Sequence, residues 1–152
     1  KVIEKLGENP EMIFLTGCPA IDLLVDLREL SNFDINSEGV GAQLNLKKPF
    51  SMVVQHPVTN EFIDVKRQIK ETIEAIKYLI ATYDHQFIWL WPNIDAGSDY
   101  IAQQLRSLRE NSHKNLNIRF FKNFTPEIYA SLLAKSLLIL SLTRLFVQEN
   151  LI

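Results

Sequence analysis

The segment FIWLWPNIDAGSDYI, residues 87–101, delivers polar and small residues directly after an apolar run. Asn93, Asp95, Gly97 and Ser98 follow five apolar residues and a proline. Gly97 lets an anion approach the backbone closely, and the free amides at the start of a helix suit a phosphate group. A plainer role fits the same residues, because Asp95 or Ser98 can cap a helix and Asn93 can form a turn.

A second segment, FSMVVQHPVTNEF at residues 50–62, has the same order of an apolar run, polar residues and a proline. His56 stands at the end of this run, directly before Pro57. An imidazole there can donate a hydrogen bond to a phosphate oxygen or move a proton near neutral pH. A histidine that is buried and hydrogen-bonded to backbone is the alternative.

The elements that must position these residues alternate between strand and helix patterns. Apolar runs rich in branched and aromatic residues predict strands, and amphipathic stretches predict helices. The predicted strands are 12–16, 50–54, 87–91, 117–121 and 137–142, and the predicted helices are 19–30, 61–83, 98–110 and one that begins at Thr125-Pro126-Glu127. Residues 31–49 are predicted to be a loop or linker. Repeated strand-then-helix order predicts an α/β fold, with a parallel sheet of four strands over 50–142 and helices on both faces.

Helix 61–83 has the clearest periodicity. Apolar residues recur at steps of three and four, which places them on one face; they are Phe62, Val65, Ile69, Ile73, Ile76, Ile80 and Tyr83.

A parallel sheet gathers the residues that follow its strands at one edge, where ligands bind. His56, the cluster from Asn93 to Asp99, and the turn 122–125 are therefore expected to lie side by side.

Composition narrows the classes of function. The chain has 152 residues, is 47% hydrophobic and carries a formal charge of −2, so nothing in it favours nucleic acid or an anionic membrane. No metal-ligand spacing and no phosphate-loop or dinucleotide glycine motif is present. The single cysteine, Cys18, is expected to be buried and unreactive, and it favours a reducing, cytoplasmic compartment.

Four ordered blocks, LTGCPAIDLL (15–24), VVQHPVTNEF (53–62), WLWPNIDAGSD (89–99) and NIRFFKNFTPEIYASLLA (117–134), resemble the hydrolysing UDP-N-acetylglucosamine 2-epimerases of sialic and related nonulosonic acid biosynthesis. The resemblance implies a GT-B-type architecture of two Rossmann-like domains, with the nucleotide held by the carboxyl-terminal one. It implies conversion of UDP-N-acetylglucosamine and water to N-acetylmannosamine and UDP, by elimination of UDP and then addition of water. It implies no metal or redox cofactor.

The resemblance also assigns roles by position. His56 and Asp22 match catalytic positions, the first near sugar and diphosphate and the second near the domain junction. Asn93, with Asp95, Gly97 and Ser98, matches the sugar and phosphate site. The backbone around Asn123 and Phe124 matches the segment that contacts the uracil edge.

The chain departs from the family pattern at both ends. Residues 1–30 match only the end of the amino-terminal domain and a hinge helix, 31–49 a linker, and 50–152 an incomplete UDP-binding domain. SLTRLFVQENLI stands where the family has a serine-rich phosphate loop. We therefore expect UDP binding to be millimolar or absent and the chain to be inactive by itself. A UDP-binding module without turnover and a non-catalytic interaction domain remain alternatives, and an exposed strand at 12–16 would favour a homo-oligomer.

Overall fold

A mostly parallel sheet forms the centre of the protein, as shown by a computed structural model that describes residues 2–18, 22, 33–57, 64–94, 97–111 and 116–141. Its strands are β1 (Val40–Gly41), β2 (Phe50–Val54), β3 (Gln86–Leu90), β4 (Ile118–Phe121) and β5 (Leu138–Ser141). The helices are α1 (Val2–Lys5), α2 (Val65–Tyr83), α3 (Ser98–Asn111) and α4 (Pro126–Lys135), with a short 3-10 helix at Pro10–Met12.

The strands lie in the order β1-β4-β3-β2-β5. β2 pairs in parallel with β3 and β5, and β3 pairs in parallel with β4. The predicted four-stranded parallel sheet is thus confirmed. β1 was not predicted, and it pairs antiparallel with β4 at the edge of the sheet.

Alternating side chains of the strands face two separate hydrophobic clusters. Phe87 and Trp89 of β3 pack with the apolar faces of α2 and α3 on one side of the sheet. Ile88 between them packs on the other side with Leu132 of α4 and with Leu44 of the segment before β2. Burying each of these large side chains contributes about 1.5–3 kcal/mol. Helices therefore cover both faces, as the sequence predicts.

The apolar face of α2 matches its predicted periodicity at the described positions except the last, and Phe62, also predicted to face inward, lies outside the described residues. The five branched residues from Val65 to Ile80 that were predicted to face inward are all buried. Tyr83 was predicted to join them and is 68% exposed. The reason is length, because a helix of 19 residues spans about 28 Å and a strand of five residues about 17 Å. The carboxyl-terminal end of α2, at Tyr83, therefore reaches past the strands that the helix covers.

The predicted strand at 12–16 is wrong. Met12 ends the 3-10 helix, and residues 13–18 form no strand. A strand needs a neighbour to complete its ladder of backbone hydrogen bonds, and no described strand lies beside this segment. Phe14, Leu15 and Cys18 are exposed, so the expectation of a buried cysteine was also wrong. The predicted helix 19–30 lies outside the described residues apart from Asp22.

The segment before β2, predicted as a loop or linker, packs firmly against the sheet over residues 33–49. Ile35 and Leu44 are buried in the cluster beneath α4. Asn36 ties the segment together, since its side chain accepts from the Leu44 amide and donates to the Leu44 carbonyl, both at 2.8 Å. This segment carries β1 and therefore belongs to the same packed unit as the sheet.

The predicted start of α4 is confirmed in detail. The Thr125 hydroxyl accepts a hydrogen bond from the Ile128 amide at 3.4 Å, and Pro126 occupies the first turn. Hydrogen bonds from its own backbone amide and from the Thr125 hydroxyl lower the pKa of Glu127. A carboxylate in this turn also meets the positive end of the helix dipole.

We expect Thr125→Ala to lower the free energy of unfolding by about 1 kcal/mol, because it removes the cap of α4. Thr125→Ser keeps the hydroxyl and is the matched control. Since the pKa of Glu127 is lowered in the folded state, its contribution is present above its unfolded pKa and is lost as pH falls through the folded pKa. The difference in free energy of unfolding between Thr125→Ala and wild type, measured by urea denaturation, should therefore become smaller in acid. Equal midpoints at neutral pH would show that the cap contributes nothing.

Candidate functional site

The carboxyl ends of three parallel strands stand level at one edge of the sheet. Val54 is in register with Leu90, and Leu90 with Phe121. One residue beyond the ladder, the Trp91 amide donates a hydrogen bond to the Phe121 carbonyl at 2.7 Å. The segments that follow β2, β3 and β4 therefore leave the sheet side by side, as the sequence analysis expected.

Two cavities adjoin each other at this edge. The larger, of about 680 Å³, is lined by residues 91–94 and Lys122, and therefore includes Asn93. The smaller, of about 360 Å³, has Asn123 in its lining. Trp91 and Lys122 belong to both linings, so they form the border between the two cavities. The structure thus brings Asn93 and Asn123 to neighbouring spaces.

The smaller cavity combines aromatic walls with charged rims. Its remaining lining residues are Glu38, Gly39, Val40, Arg109, Phe120 and Phe121. Arg109 and Lys122 are exposed cations, against the single carboxylate of Glu38. An aromatic wall with a surplus of positive charge suits a flat ring joined to an anionic group.

The start of α3 offers free amides and a buried hydroxyl. Gly97 takes φ +92°, a backbone conformation that favours glycine. Ser98, the first residue of the helix, is only 6% exposed. Its hydroxyl has no hydrogen-bond partner in the described part of the chain, so it does not cap the helix. Asp95 lies outside the described residues.

Residues at the end of β2 supply a second buried polar group. Gln55 is 2% exposed, and its Oε1 has no hydrogen-bond partner among the residues that the structure describes. An unsatisfied buried polar atom costs about 1–3 kcal/mol. His56 follows directly and is partly exposed, between the buried Gln55 and Pro57. His56 therefore keeps access to the edge while its neighbours are packed.

The side chain of Phe124 is used for packing. Its ring lies 4.5 Å from that of Phe121 and 6.2 Å from that of Phe33, measured between centroids. These contacts fix the turn 122–124, so the backbone of this turn and the exposed Asn123 are the groups available to a ligand.

Asp22 does not join these groups in the described structure. It is exposed, and its backbone amide donates to the Cys18 carbonyl at 3.3 Å. None of the hydrogen bonds described for the chain links it to a residue at the strand ends.

The segment 38–40 and Trp91 line the smaller cavity but were not predicted from the sequence. Gly39 and Gly41, two residues apart before β2, were the available signal, since paired glycines often allow two backbones to approach closely. Their role became visible only with the pairing of β1 and β4. Among the described residues no group of three His, Cys, Asp or Glu side chains could hold a metal ion, and no helix is long and apolar enough to cross a lipid bilayer.

Comparison with known proteins gives a consistent family. The sequence is 26% identical over 132 residues to the UDP-N,N'-diacetylbacillosamine 2-epimerase (hydrolyzing) of Legionella pneumophila. The aligned residues cover 87% of this chain and 32% of that protein. It is likewise 26% identical over 136 residues to the polysialic acid biosynthesis protein P7 of Escherichia coli, and these residues make up 90% of this chain and 32% of that protein. The chain thus spans about a third of the length of these curated relatives. No solved structure matches it.

The family model for UDP-N-acetylglucosamine 2-epimerases matches residues 1–143, nearly the whole chain. This match agrees with the mostly parallel sheet and with the phosphate-suited helix start at its edge. The chain therefore belongs to the UDP-N-acetylglucosamine 2-epimerase family.

Proposed function

We propose that this chain provides the nucleotide side of the active site of a hydrolysing UDP-N-acetylglucosamine 2-epimerase and binds the UDP part of the substrate. The observation that carries the proposal is the start of α3, where a buried Ser98 hydroxyl without a partner in the described structure stands beside the helix amides. Such a group, at the positive end of a helix, suits a diphosphate oxygen. The hydrolysing type is favoured by the activity for which the Legionella relative is named.

The neighbouring cavities give the rest of the substrate a place. We assign the uracil ring to the smaller cavity, where Phe120 and Trp91 supply aromatic surface and the turn at Asn123 supplies backbone groups. The larger cavity, which includes Asn93, then lies toward the sugar. Lys122, between the two, is a cation for the charge that UDP carries.

In the proposed reaction the bond between the sugar C1 and the UDP oxygen breaks while a base removes the proton from C2, which gives a glycal and UDP. Water then adds its hydroxyl to C1, and a proton returns to C2 on the opposite face, which gives N-acetylmannosamine. The departing diphosphate develops negative charge, and a donor at the end of β2 stabilises it. We assign this role to His56, and we place Asp22 at the junction with the remainder of the active site.

Isothermal titration with UDP tests the proposal at its first step. Binding of UDP, even in the millimolar range, would support a nucleotide site and exclude a domain used only for interaction. Release of UDP from UDP-N-acetylglucosamine would then distinguish an enzyme from a module that only binds. No heat of binding at saturating UDP would contradict the proposal.

Ser98→Ala should weaken UDP binding without lowering the stability of the protein. In the free protein it removes an unsatisfied buried hydroxyl, so the free energy of unfolding should stay the same or rise by up to about 1 kcal/mol. UDP affinity should fall about tenfold or more, because a hydrogen bond to a charged oxygen is worth about 1.5–3 kcal/mol.

The matched control is Ser136→Ala at the end of α4, whose hydroxyl donates to the Leu133 carbonyl at 2.8 Å. This control should lose about 0.5–1.5 kcal/mol of stability and keep its UDP affinity. Urea denaturation and UDP titration measure the two effects. If Ser98→Ala destabilised the protein as Ser136→Ala does, the Ser98 hydroxyl would have a structural role.

His56→Ala should lower turnover at least about tenfold, equivalent to about 1.4 kcal/mol at the transition state. The measurement requires this chain joined to the amino-terminal part of a relative, or the matching histidine of a full-length relative. The fold should survive, because His56 is partly exposed at a strand end.

His85→Ala is the control, since His85 lies at the opposite end of the sheet with its Nε2 2.8 Å from the Ser51 hydroxyl. It should lose stability and keep its turnover per folded molecule. Full turnover in His56→Ala, or its failure to fold, would leave His56 as a structural residue.

A further inference from the structure

We propose that Arg119 is a positioning residue for the nucleotide cavity. It holds the segment 36–42 against β4, and this segment closes one side of the smaller cavity through Glu38, Gly39 and Val40. The inference rests on the proposed function, in which that cavity receives the uracil ring. Arg119 itself does not line the cavity, so its effect on a ligand passes through the segment that it holds.

The guanidinium of Arg119 is surrounded by backbone carbonyl groups. Nε donates to Glu38 O at 2.7 Å, and the Nη1 and Nη2 groups donate to four further carbonyl oxygens of the same segment. These are Gly41 O at 3.3 Å, Ala42 O at 3.0 Å, Asn36 O at 2.8 Å and Gly39 O at 3.4 Å. A guanidinium has five N–H donors in a fixed plane, and all five oxygens belong to one short segment. The guanidinium therefore links five carbonyl groups of this segment to β4.

The charge of Arg119 is buried with carbonyl dipoles as its partners. The residue is 7% exposed, and no ion pair to it is found within the described residues. Burial of an unpaired charge is costly, so each carbonyl that leaves the guanidinium raises the free energy of the folded state. The segment is thus held at Arg119 more firmly than a surface loop would be.

Two glycines bring the segment into direct backbone contact with β4. A Cβ added to Gly39 would lie 2.6 Å from Phe120 O, and one added to Gly41 would lie 2.4 Å from Ile118 O. Gly41 is also the partner of Arg119 in the β1–β4 register. The wall at Glu38–Val40 is therefore packed directly beside Phe120 and Phe121, which line the same cavity. Loss of the guanidinium would free this wall and widen the cavity.

The experiment compares Arg119→Met and Arg119→Lys with wild type, using NMR titration of the chain with UDP and, separately, with inorganic pyrophosphate. Arg119→Met should lower UDP affinity at least about tenfold. Arg119→Lys, which retains the charge and three donors, should lower it less. Pyrophosphate affinity should change by less than about twofold in both, because the phosphate contacts at α3 are untouched. Arg106→Met, an exposed arginine of α3 outside the cavity, is the control and should match wild type.

Amide hydrogen exchange provides the second readout. In both variants exchange should accelerate at residues 36–42 and stay slow in α2, which a general loss of structure would not produce. Should Arg119→Met fail to fold, Arg119→Lys decides the question on the same two ligands.

UDP binding by wild type together with unchanged UDP affinity in the folded Arg119 variants would overturn this inference alone. An equal loss of UDP and pyrophosphate affinity would also overturn it, since the role of Arg119 would then be general stability. Absence of UDP binding in wild type would overturn the proposed function and this inference with it.

Discussion

Backbone hydrogen bonding between parallel strands is the constraint on which the site depends. Because β2, β3 and β4 are paired in register to their last residues, three different segments of the chain leave the sheet at the same level. The hydrogen bond from the Trp91 amide to the Phe121 carbonyl extends this alignment one residue past the ladder. Residues that are far apart in sequence, such as His56 and Asn123, thereby come to one edge of the sheet.

The hydrophobic clusters on the two faces keep this edge rigid. Side chains of β3 alternate between the cluster under α2 and α3 and the cluster under α4. A shift of one residue in register would exchange the two sets, so that neither would fit the cluster that it enters. The packing that stabilises the fold therefore also determines where the strand-end residues lie.

Much of the sheet was predictable from sequence because its signals are local. Apolar runs gave β2 to β5, periodicity gave the buried face of α2, and a Thr-Pro-Glu sequence gave the start of α4. The run at 12–16 has the same local signal, but it forms no strand because no described strand lies beside it. Its composition could not reveal that this partner would be missing. Tyr83 continues the period of α2, yet its exposure depends on the length of the strands beneath it.

Some residues of the candidate site were predictable from local sequence signals and others were not. His56, Asn93, Ser98 and Asn123 follow from strand ends and topology, and their roles remain proposals. The wall at 38–40 depends on pairing between short segments distant in sequence, which no local pattern encodes. Arg119 did carry a signal, since a charged residue within the apolar strand NIRFF needs buried partners. The sequence alone could not say that these partners would be five carbonyl oxygens.

The pairing of β1 with β4 has a consequence for the order in which the protein folds. The contact between Gly39 and Arg119 spans 80 residues of chain, whereas β2 and β3 pair over 36 residues (Phe50 with Gln86) and β3 and β4 over 31 (Phe87 with Ile118). Closing so long a loop costs entropy before any contact offsets it. The guanidinium of Arg119 also has a fixed position only after β4 has paired with β3. We therefore expect β2, β3 and β4 to pair first and the wall at 38–40 to dock afterwards. In that order the strand-end edge forms before the cavity is complete.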